Sequence, residues 1–238
     1  MENAGYTVLS RQSGLMREMQ IVANNIANAA TTGFRQEGLV FSEHVVAMES
    51  GTSISMAGAT ARNTSMVQGA LSQTEGTLDL AIEGEGFFQV ETPQGLRLTR
   101  AGSFSANGEG DLVTNDGYLV LDAGGAPIFI PPDATDLSVA ADGTVSSNGR
   151  PLTQIGLFLP SDPNDLVRED GVMFRADFGT EPSDTGRILQ GYRESSNVDP
   201  IGQMARMIEV QRAYELGQSF MDAEHERQRQ ALQTFVKQ

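Results

Sequence analysis

Chemically reactive side chains are few in this sequence, and their spacing provides no complete catalytic group. The chain has no cysteine and two histidines, His44 and His225. His225 stands between two acidic residues in Glu224-His225-Glu226, and all three residue types can bind metal ions. Three consecutive residues of a helix point in different directions, so they cannot share one ion. The pattern therefore predicts a solvated helix face and not a metal site.

Three other motifs suggest chemistry but lack the neighbours that the chemistry needs. Glu83 and Glu85 alternate with glycine and imitate a pair of acid–base carboxylates, although a polar turn explains them more simply. The same stretch is not a dinucleotide-binding loop, because Gln89 occupies the place of the third glycine. Asp133, Asp136 and Asp142 do not have the spacing of a calcium loop. We predict no catalytic residue, no cofactor and no metal, and therefore no enzyme.

Polar residues suited to contact between subunits are concentrated at Asn24, Asn25 and Asn28. Asparagine is a poor helix former, so these residues predict either a fraying helix end or a contact with a neighbouring subunit. Amide side chains both donate and accept hydrogen bonds, which suits them to backbone groups of another helix. Residue types alone do not separate the two interpretations. Arg212 and Glu215 present a similar choice between a solvated face and an ion pair between subunits.

The elements that must position these residues are helices at the two ends of the chain. Apolar or small residues recur every three or four positions in residues 1–30 and again in residues 201–236, and such a seam predicts a partner helix. The first seam comprises Leu9, Gln12, Met16, Met19, Ala23, Ile26 and Ala30, with Leu15 and Val22 beside it. The second comprises Met204, Met207, Val210, Tyr214, Gly217, Met221, Leu232 and Phe235. Flexible methionines also suit a face that meets several neighbours.

Local signals predict where these helices begin and end. The first should run from about Asn3 to about Asn28, and the following stretch with Gly33 should end it, since glycine accepts the left-handed conformation. We therefore expect Gly33 to have a positive φ or a close backbone neighbour. Asp199 or Asn197 should cap the second helix, with Pro200 in its first turn.

Between the helical ends the apolar period changes to two, which is typical of strands. Predicted strands cover 78–82, 87–90, 112–113, 118–121, 128–130 and 155–159. Hairpin turns are predicted at the Asn-Gly or Asp-Gly pairs 107–108, 116–117, 142–143, 148–149 and 170–171. The fold class is α+β, mainly β by body, with paired N- and C-terminal helices forming a coiled-coil-like stalk and an inserted all-β domain.

We predict three parts of the chain. Residues 1–35 with 195–238 should form the helical stalk, residues 36–74 with 187–194 an extended connector, and residues 75–186 the all-β outer domain. A stalk with a β domain at its side suits a subunit of an axial assembly better than an enzyme with a pocket.

The bulk composition excludes several kinds of partner. The 238 residues carry a formal net charge of −15, which argues against nucleic acid and against anionic membranes. No apolar run approaches the ~18 residues of a transmembrane helix, so we expect no membrane insertion. Residues 1–5 lack the basic and apolar regions of a cleaved secretory signal, so we expect export without a cleaved signal peptide.

Several motifs, in one consistent order, resemble those of flagellar rod and hook proteins. At the N-terminal end these are Ala23-Asn24-Asn25-Ile26-Ala27-Asn28 and Thr31-Thr32-Gly33-Phe34-Arg35. In the middle they are residues 68–71, 78–88, 99–104, 110–113 and 117–118. At the C-terminal end they are Gln190-Gly191-Tyr192, residues 194–199, residues 207–209 and Gln211-Arg212-Ala213-Tyr214-Glu215. The chain is most similar to the proximal-rod members of this family, with the distal-rod members as the alternative.

The resemblance implies a structural subunit of a helical tube in the periplasmic rod of the bacterial flagellar basal body. Its implied partners are copies of itself, other proximal- and distal-rod proteins and, in transit, the flagellar type III export apparatus. Terminal helices would pack into the inner tube and transmit torque. The subunit-interface candidates are Leu15, Met16, Met19, Val22, Asn24, Asn25, Ile26, Asn28, Gly33, Phe34, Asn197, Met204, Met207, Ile208, Gln211, Arg212, Tyr214 and Met221.

Two alternatives outside the family fit the same residues less well. A secreted carbohydrate-active enzyme on a β scaffold needs a carboxylate pair in a cleft and usually aromatic platforms for sugars, yet the chain has no tryptophan and four tyrosines. A monomeric, secreted β-scaffold binding module with helical ends should keep those ends ordered without neighbours, which separates it from an assembly subunit.

Overall fold

The chain is α+β and mainly β, as its apolar periods predict. A computed structural model describes residues 2–47, 53–162 and 165–236. The chain divides into two compact units, each described separately below. Unit 1 comprises residues 1–27, 36–65 and 198–238, and unit 2 comprises residues 28–35 and 66–197.

Unit 1 begins with helix α1, Glu2–Ala27. The helix buries Glu18, Ile21, Val22 and Asn25, whereas the predicted seam residues Leu9, Met16 and Ala23 are exposed. The buried face of α1 is therefore not the predicted seam, because the helix also packs against the strands of unit 1. The helix ends within one residue of the predicted position. Gly33 does not end it, contrary to our expectation, because the chain already turns at Asn28, whose carbonyl accepts a hydrogen bond from the Thr31 amide at 3.0 Å.

Helix α2, Pro200–Val236, has the predicted beginning. The Asp199 carboxylate accepts hydrogen bonds from the amides of Ile201 at 3.1 Å and Gly202 at 3.2 Å. These amides have no partner within the first helical turn, so the carboxylate satisfies them and opposes the positive end of the helix dipole. Pro200 occupies the first turn, where its missing N–H costs nothing.

The two helices of unit 1 contact each other in antiparallel order. The Gln12 amide donates to the Tyr214 carbonyl at 3.4 Å, and the Arg206 Nε donates to the Glu18 carboxylate at 2.7 Å. The Asn25 amide donates to the Gln203 side chain at 3.2 Å. Later residues of α1 therefore contact earlier residues of α2.

The remainder of unit 1 is a long antiparallel ribbon, formed by β1, Glu37–Ala47, and β2, Ser53–Thr64. The register runs from Glu37 opposite Thr64 to Ala47 opposite Ser53, with an irregularity between Val40 and Phe41. The residue pattern predicts an extended connector for this stretch. The ribbon instead adds its own hydrogen-bonded ladder, and both strands contact α1.

Unit 2 contains the remaining strands. They are β3 Leu71–Gln73, β4 Leu80–Glu83, β5 Phe88–Thr92, β6 Gly95–Thr99, β7 Phe104–Ala106, β8 Leu112–Thr114, β9 Leu119–Val120, β10 Leu137–Val139, β11 Thr144–Ser147, β12 Arg150–Gln154, β13 Phe158–Pro160, β14 Leu166–Asp170, β15 Met173–Ala176, β16 Thr180–Pro182, β17 Arg187–Gln190 and β18 Tyr192–Glu194. The largest sheet has seven strands in the order β14-β15-β6-β5-β9-β8-β7. Strands β10-β11-β12 form a second sheet, and β13-β16, β17-β4 and β18-β3 form pairs.

The core of unit 2 uses the apolar positions of these short strands. Its fully buried aliphatic side chains include Leu80, Ile82, Val90, Leu112, Val120 and Ile128. Phe88 and Phe104 meet edge to face with ring centroids 5.1 Å apart, a favourable geometry for aromatic pairs. The Asn148-Gly149 hairpin has φ values of 50° and 72°, as its residue types predict.

Two parts of unit 2 differ from the sequence-based expectation. Residues 128–130 bury Ile128 and Ile130 but form one isolated bridge, between Phe129 and Asp111, instead of the predicted strand. Residues 187–194, placed in the connector, form β17 and β18, which pair with β4 and β3. Those partners lie more than a hundred residues earlier in the chain, so no local pattern reveals the pairing.

Candidate assembly surfaces

The interface candidates on α1 differ in exposure. Val22 and Asn25 are buried, whereas Met16 and Asn24 are exposed. Leu15, Met19 and Ile26 are half-buried. Among these candidates, Met16 and Asn24 are therefore the most accessible to a neighbour, and the others are at least partly used inside the subunit.

Asn25 has a defined role within unit 1. Its side-chain oxygen accepts the amide of Glu37 at 3.0 Å, and its side-chain nitrogen donates to the carbonyl of Glu37 at 2.8 Å. The side chain is 1% exposed, and it satisfies both backbone groups where β1 begins. Neither a fraying end nor a contact between subunits was needed to explain this asparagine. A contact with a neighbour remains a prediction for Asn24.

On α2, one face is directed into unit 1. Val210 is buried there, and Met207, Tyr214 and Met221 are half-buried. Gly217 belongs to the same face, because a Cβ at that position would be 3.0 Å from the Gln12 side-chain nitrogen. These are predicted seam positions, but Met204, which is also a predicted seam residue, is half exposed and does not lie on this face. Met204, Ile208, Gln211 and Arg212, the other candidates on this helix, are exposed.

A second apolar stripe lies on the opposite face of α2. Ile201, Met204, Ile208 and Leu216 fall within a sector of about 120° at 3.6 residues per turn, and we call these four residues the outer stripe. Ile201 and Leu216 are 76% and 73% exposed, and Met204 and Ile208 are about half exposed. Ile201 and Leu216 are not part of the predicted seam. A helix that is apolar on two faces is typical of one that is buried on both.

Next to the outer stripe, a groove separates the two helices of unit 1. It is lined from α1 by Val8, Arg11, Gln12 and Leu15 and from α2 by Ala213, Leu216, Gly217 and Phe220. Gln12 and Gly217 meet in this groove, where a Cβ on Gly217 would lie 3.0 Å from the Gln12 side-chain nitrogen. Phe220 is exposed at its edge, so apolar surface continues from the stripe into the groove.

The remaining candidates, Asn28, Gly33, Phe34 and Asn197, belong to unit 2. Gly33 has a φ of 70°, so the predicted positive φ is confirmed. Phe34 is buried, and the Arg168 guanidinium lies 4.3 Å from its ring centroid. Asn28 and Asn197 are half-buried. Phe34 and Gly33 are thus committed to contacts inside unit 2.

A buried charge cluster lies next to Gly33 and was not identified from the sequence. The Glu194 carboxylate forms ion pairs with Arg35 at 2.9 Å and with Arg100 at 3.1 Å, and all three side chains are at most 3% exposed. Burial lowers the pKa of the Arg35 guanidinium to about 10, although Glu194 partly counteracts this shift. Burial also lowers the pKa of Arg100, against the opposing attraction of Glu194. Both arginines remain charged at neutral pH.

A second acidic group in unit 2 is held by several donors. Asp79 accepts hydrogen bonds from Thr74 at 2.7 Å and Ser103 at 3.4 Å, and it lies 2.8 Å from the Arg193 Nε. Burial by itself raises the pKa of the Asp79 carboxyl, but Arg193, Thr74 and Ser103 together lower the pKa below its usual value. These contacts connect β18 with the residues that directly follow β3 and precede β4.

Features of other functional classes were sought in the same residues. Within the described ranges, no group of three or more His, Asp or Glu side chains is arranged to hold a metal ion. Neither described helix is long and apolar enough to cross a membrane.

Three family profiles match the chain in order. They are the flagella basal body rod protein over residues 6–35, the D1 domain of flagellar hook protein FlgE/F/G over residues 81–147, and the C-terminal region of flagellar basal body rod FlgEFG proteins over residues 189–234. These matches include both terminal helices and much of the β body.

Individual relatives extend the match to the full chain. The flagellar basal-body rod protein FlgF of Caulobacter vibrioides is 39% identical, over 100% of this chain and 99% of the relative. FlgF of Mesorhizobium japonicum is 39% identical over 90% of each chain. The flagellar basal-body rod protein FlgG of Bacillus subtilis is 35% identical, over 88% of this chain and 90% of the relative.

Proposed function

The chain belongs to the flagellar basal-body rod protein family, and we propose that within this family it is a proximal-rod subunit of the FlgF type. It is a structural protein of the flagellar basal body and not an enzyme, like the relatives that it matches. Its partners are other components of the rod. The finer assignments below concern its type, its neighbours and its route to the rod.

The FlgF type is favoured by the identity to the relatives. The three FlgF relatives are 36–39% identical, whereas the five FlgG relatives are 31–35% identical. A distal-rod protein of the FlgG type is the second candidate, because Gln211-Arg212-Ala213-Tyr214 resembles distal-rod and hook proteins. Complementation separates the two types: the gene should restore swimming to Caulobacter vibrioides cells that lack FlgF, and not to cells that lack FlgG.

The single observation that supports an assembly role most directly is the outer stripe of α2. Exposed Ile201, Met204, Ile208 and Leu216 would be a liability on a free monomer, since burial of one such side chain gains ~1.5–3 kcal/mol. We propose that neighbouring copies of the chain and other rod proteins cover this stripe. Exposed Gln211 and Arg212 lie between its apolar members and would contribute polar contacts.

The proposed organisation follows from this role. Residues 1–27 with 198–238 form a coiled-coil-like stalk in the inner tube, and the strands of residues 66–197 form an inserted all-β domain on the outside. Residues 36–65 belong to the unit of the stalk helices and residues 187–194 to the β domain, in place of the predicted connector. Many interlocked helices, each buried by its neighbours, make the tube stiff enough to transmit torque from the motor to the hook. The subunit reaches the periplasm through the flagellar type III export apparatus without a cleaved signal peptide.

Ile208→Asp tests the outer stripe. Ile208 is about half exposed, so the substitution should leave the free energy of unfolding of the monomer within about 0.5 kcal/mol of the wild type. In the rod it would bury an unpaired carboxylate, which is costly. Cells carrying the variant should lack rods in electron micrographs of purified basal bodies and should not swim.

Gln218→Asp is the matched control, because it places the same carboxylate at an exposed polar position of the same helix. It should form rods and support swimming. Normal rods with Ile208→Asp would show that the outer stripe is not an interface. Loss of rods with both variants would show that α2 tolerates no added charge. The effect of Ile208→Asp would then not be specific to the outer stripe.

A further inference from the structure

The chain passes between its two units four times, after residues 27, 35, 65 and 197. At three of these crossings, the segments that belong to unit 2 lie next to each other. These segments are residues 33–35, 66–70 and 194–197. These segments are distant in sequence, yet side-chain and backbone contacts join them. We call the three segments, together with Arg100, the crossover clamp.

Glu194 occupies the centre of the crossover clamp. One carboxylate oxygen lies 2.9 Å from Arg35 Nη2 and accepts the Gly69 amide, also at 2.9 Å. The other oxygen accepts from Arg100 Nη1 at 3.1 Å. One carboxylate thus contacts the first crossing through Arg35, the second through Gly69 and the β body through Arg100, and it belongs to the third crossing itself.

Backbone hydrogen bonds connect the same three segments without involving charged groups. The Gly33 amide donates to the Glu194 carbonyl at 2.8 Å, and the Asn197 amide donates to the Phe34 carbonyl at 3.3 Å. The Ser195 amide donates to the Ala70 carbonyl at 2.8 Å. Every pair of segments therefore shares at least one direct hydrogen bond or ion pair, since the Arg35 guanidinium also donates to the carbonyls of Met66 and Val67.

Close packing leaves little room for these segments to move separately. A Cβ at Gly69 would be 1.9 Å from the Ser195 carbonyl oxygen, a distance that excludes any side chain. Arg100 is anchored on the β body, where it donates to the Gly84 carbonyl at 2.7 Å and lies 5.2 Å from the Phe87 ring centroid. The clamp is consequently attached to the core of unit 2 and not only to itself.

The charge balance makes Glu194 the critical member. Two buried arginines share this one buried carboxylate, and Arg35 Nε and Arg100 Nε have no hydrogen-bond partner in the structure. If the carboxylate loses its charge, two buried guanidinium groups lose the acidic partner that they share. Such a loss affects Arg35 in the first crossing and Arg100 on the β body at once.

We propose that Glu194 makes the three crossings one cooperative unit, so that the segments open and close together and not as independent linkers. The crossover clamp then fixes the spacing at which the chain leaves and re-enters unit 2. A force on one crossing is shared by the other two. This inference concerns the single chain and does not depend on the proximal-rod assignment.

Amide hydrogen exchange of the full-length monomer tests the proposal. The reporters are the amides of Gly33, Gly69, Ser195 and Asn197, and the amides of Leu112 and Leu121 report on the core. Glu194→Gln should accelerate exchange at all four clamp amides by one common factor, about 100-fold. Exchange at Leu112 and Leu121 should change less than about twofold, because local openings need not involve the core.

Glu181→Gln is the control, since it makes the same change at an exposed position of β16. It should leave all six amides at the wild-type rate. Acceleration of Gly69 alone, whose amide contacts the carboxylate directly, would overturn the proposal. Equal acceleration of the clamp and core amides would also overturn it, because Glu194 would then act only on global stability.

Wild-type protein provides a second test if Glu194→Gln does not fold. In low concentrations of denaturant, the four clamp amides should exchange through one opening, with the same denaturant dependence and less protection than Leu112. Four different denaturant dependences would mean that the crossings open independently, and the proposal would be wrong.

Discussion

Gly33 and Ala101 approach each other so closely that no side chain fits at position 33. A Cβ on Gly33 would stand 2.3 Å from the Ala101 amide nitrogen and 2.5 Å from the Arg100 carbonyl carbon. Both obstacles are backbone atoms, which cannot rotate away. This glycine therefore serves a close approach between two segments of unit 2, in addition to its left-handed backbone.

Gly33→Ala should destabilise the chain more than a positive φ alone explains. Gly149 has almost the same φ, 72° against 70°, but nothing lies within 4 Å of a Cβ built there. Gly149→Ala should cost about 1–2 kcal/mol from backbone strain. Gly33→Ala should cost about 1–3 kcal/mol beyond that, since overpacking adds to the strain. Urea unfolding of both full-length variants measures the difference, and equal losses would contradict the close approach.

Asn25→Ala should destabilise the monomer, because it removes two hydrogen bonds to the buried amide and carbonyl of Glu37. The loss of two hydrogen bonds to buried backbone groups predicts a loss of about 2–4 kcal/mol in the free energy of unfolding. Gln20→Ala, at an exposed amide of the same helix, should change it by no more than about 0.5 kcal/mol. If Asn25→Ala matched this control in urea yet formed no rods, the asparagine would act between subunits instead.

The sequence predicts those elements whose signals are local. Both helices, the Asp199 cap and the Asn148-Gly149 hairpin depend on residues within a few positions of each other, and each was found as expected. The β17 and β18 strands were missed, because their partners in β4 and β3 are remote in the chain.

Burial of charge explains most of what the sequence could not reveal about the candidate site. Arg35, Arg100 and Glu194 belong to residue types that are rarely fully buried, so nothing in their spacing predicts a shared interior cluster. The contact of Asn25 could not be predicted either, because its partner Glu37 comes next to it only when the chain has folded back on α1. The outer stripe of α2 has a helical period, but the seam prediction assigned Met204 to the inner face and omitted Ile201 and Leu216.

Acid should weaken unit 2 through Asp79. The folded chain holds the pKa of this carboxyl below its usual value of 3.8, so the unfolded chain binds its proton first as the pH falls. The stabilisation is therefore fully present well above pH 3.8 and is lost as the pH falls through the lower folded value. Wild type should lose free energy of unfolding between pH 5 and pH 2.5, and Asp79→Asn should lose less over this range.

Thr74→Val provides a graded comparison, because it removes the 2.7 Å hydrogen bond and leaves Arg193 in place. Its loss on acidification should lie between those of wild type and Asp79→Asn in urea titrations at each pH. If Asp79→Asn lost as much free energy of unfolding on acidification as wild type, other carboxylates would be the cause of the acid sensitivity.

The terminal helices should be protected from exchange by assembly and only weakly protected in the free subunit. In the monomer α2 leaves Ile201, Met204, Ile208, Leu216 and Phe220 in solvent, so much of its apolar surface contributes nothing to helix stability. An isolated helix is marginal in water, and packing of one face against α1 compensates for only part of this. Covering the outer stripe with neighbours should supply the rest and couple helix stability to binding.

Hydrogen exchange of the purified monomer and of assembled rods compares the two states directly. Amides in residues 201–230 should exchange rapidly in the monomer and slowly in the rod, while β5 and β6 stay protected in both. The paired strands of unit 2 are an internal reference, because their core is complete without neighbours. If a verified monomer protected residues 201–230 as strongly as β5, its helices would be stable without partners. That result would contradict coupled ordering and favour a module whose terminal helices need no assembly.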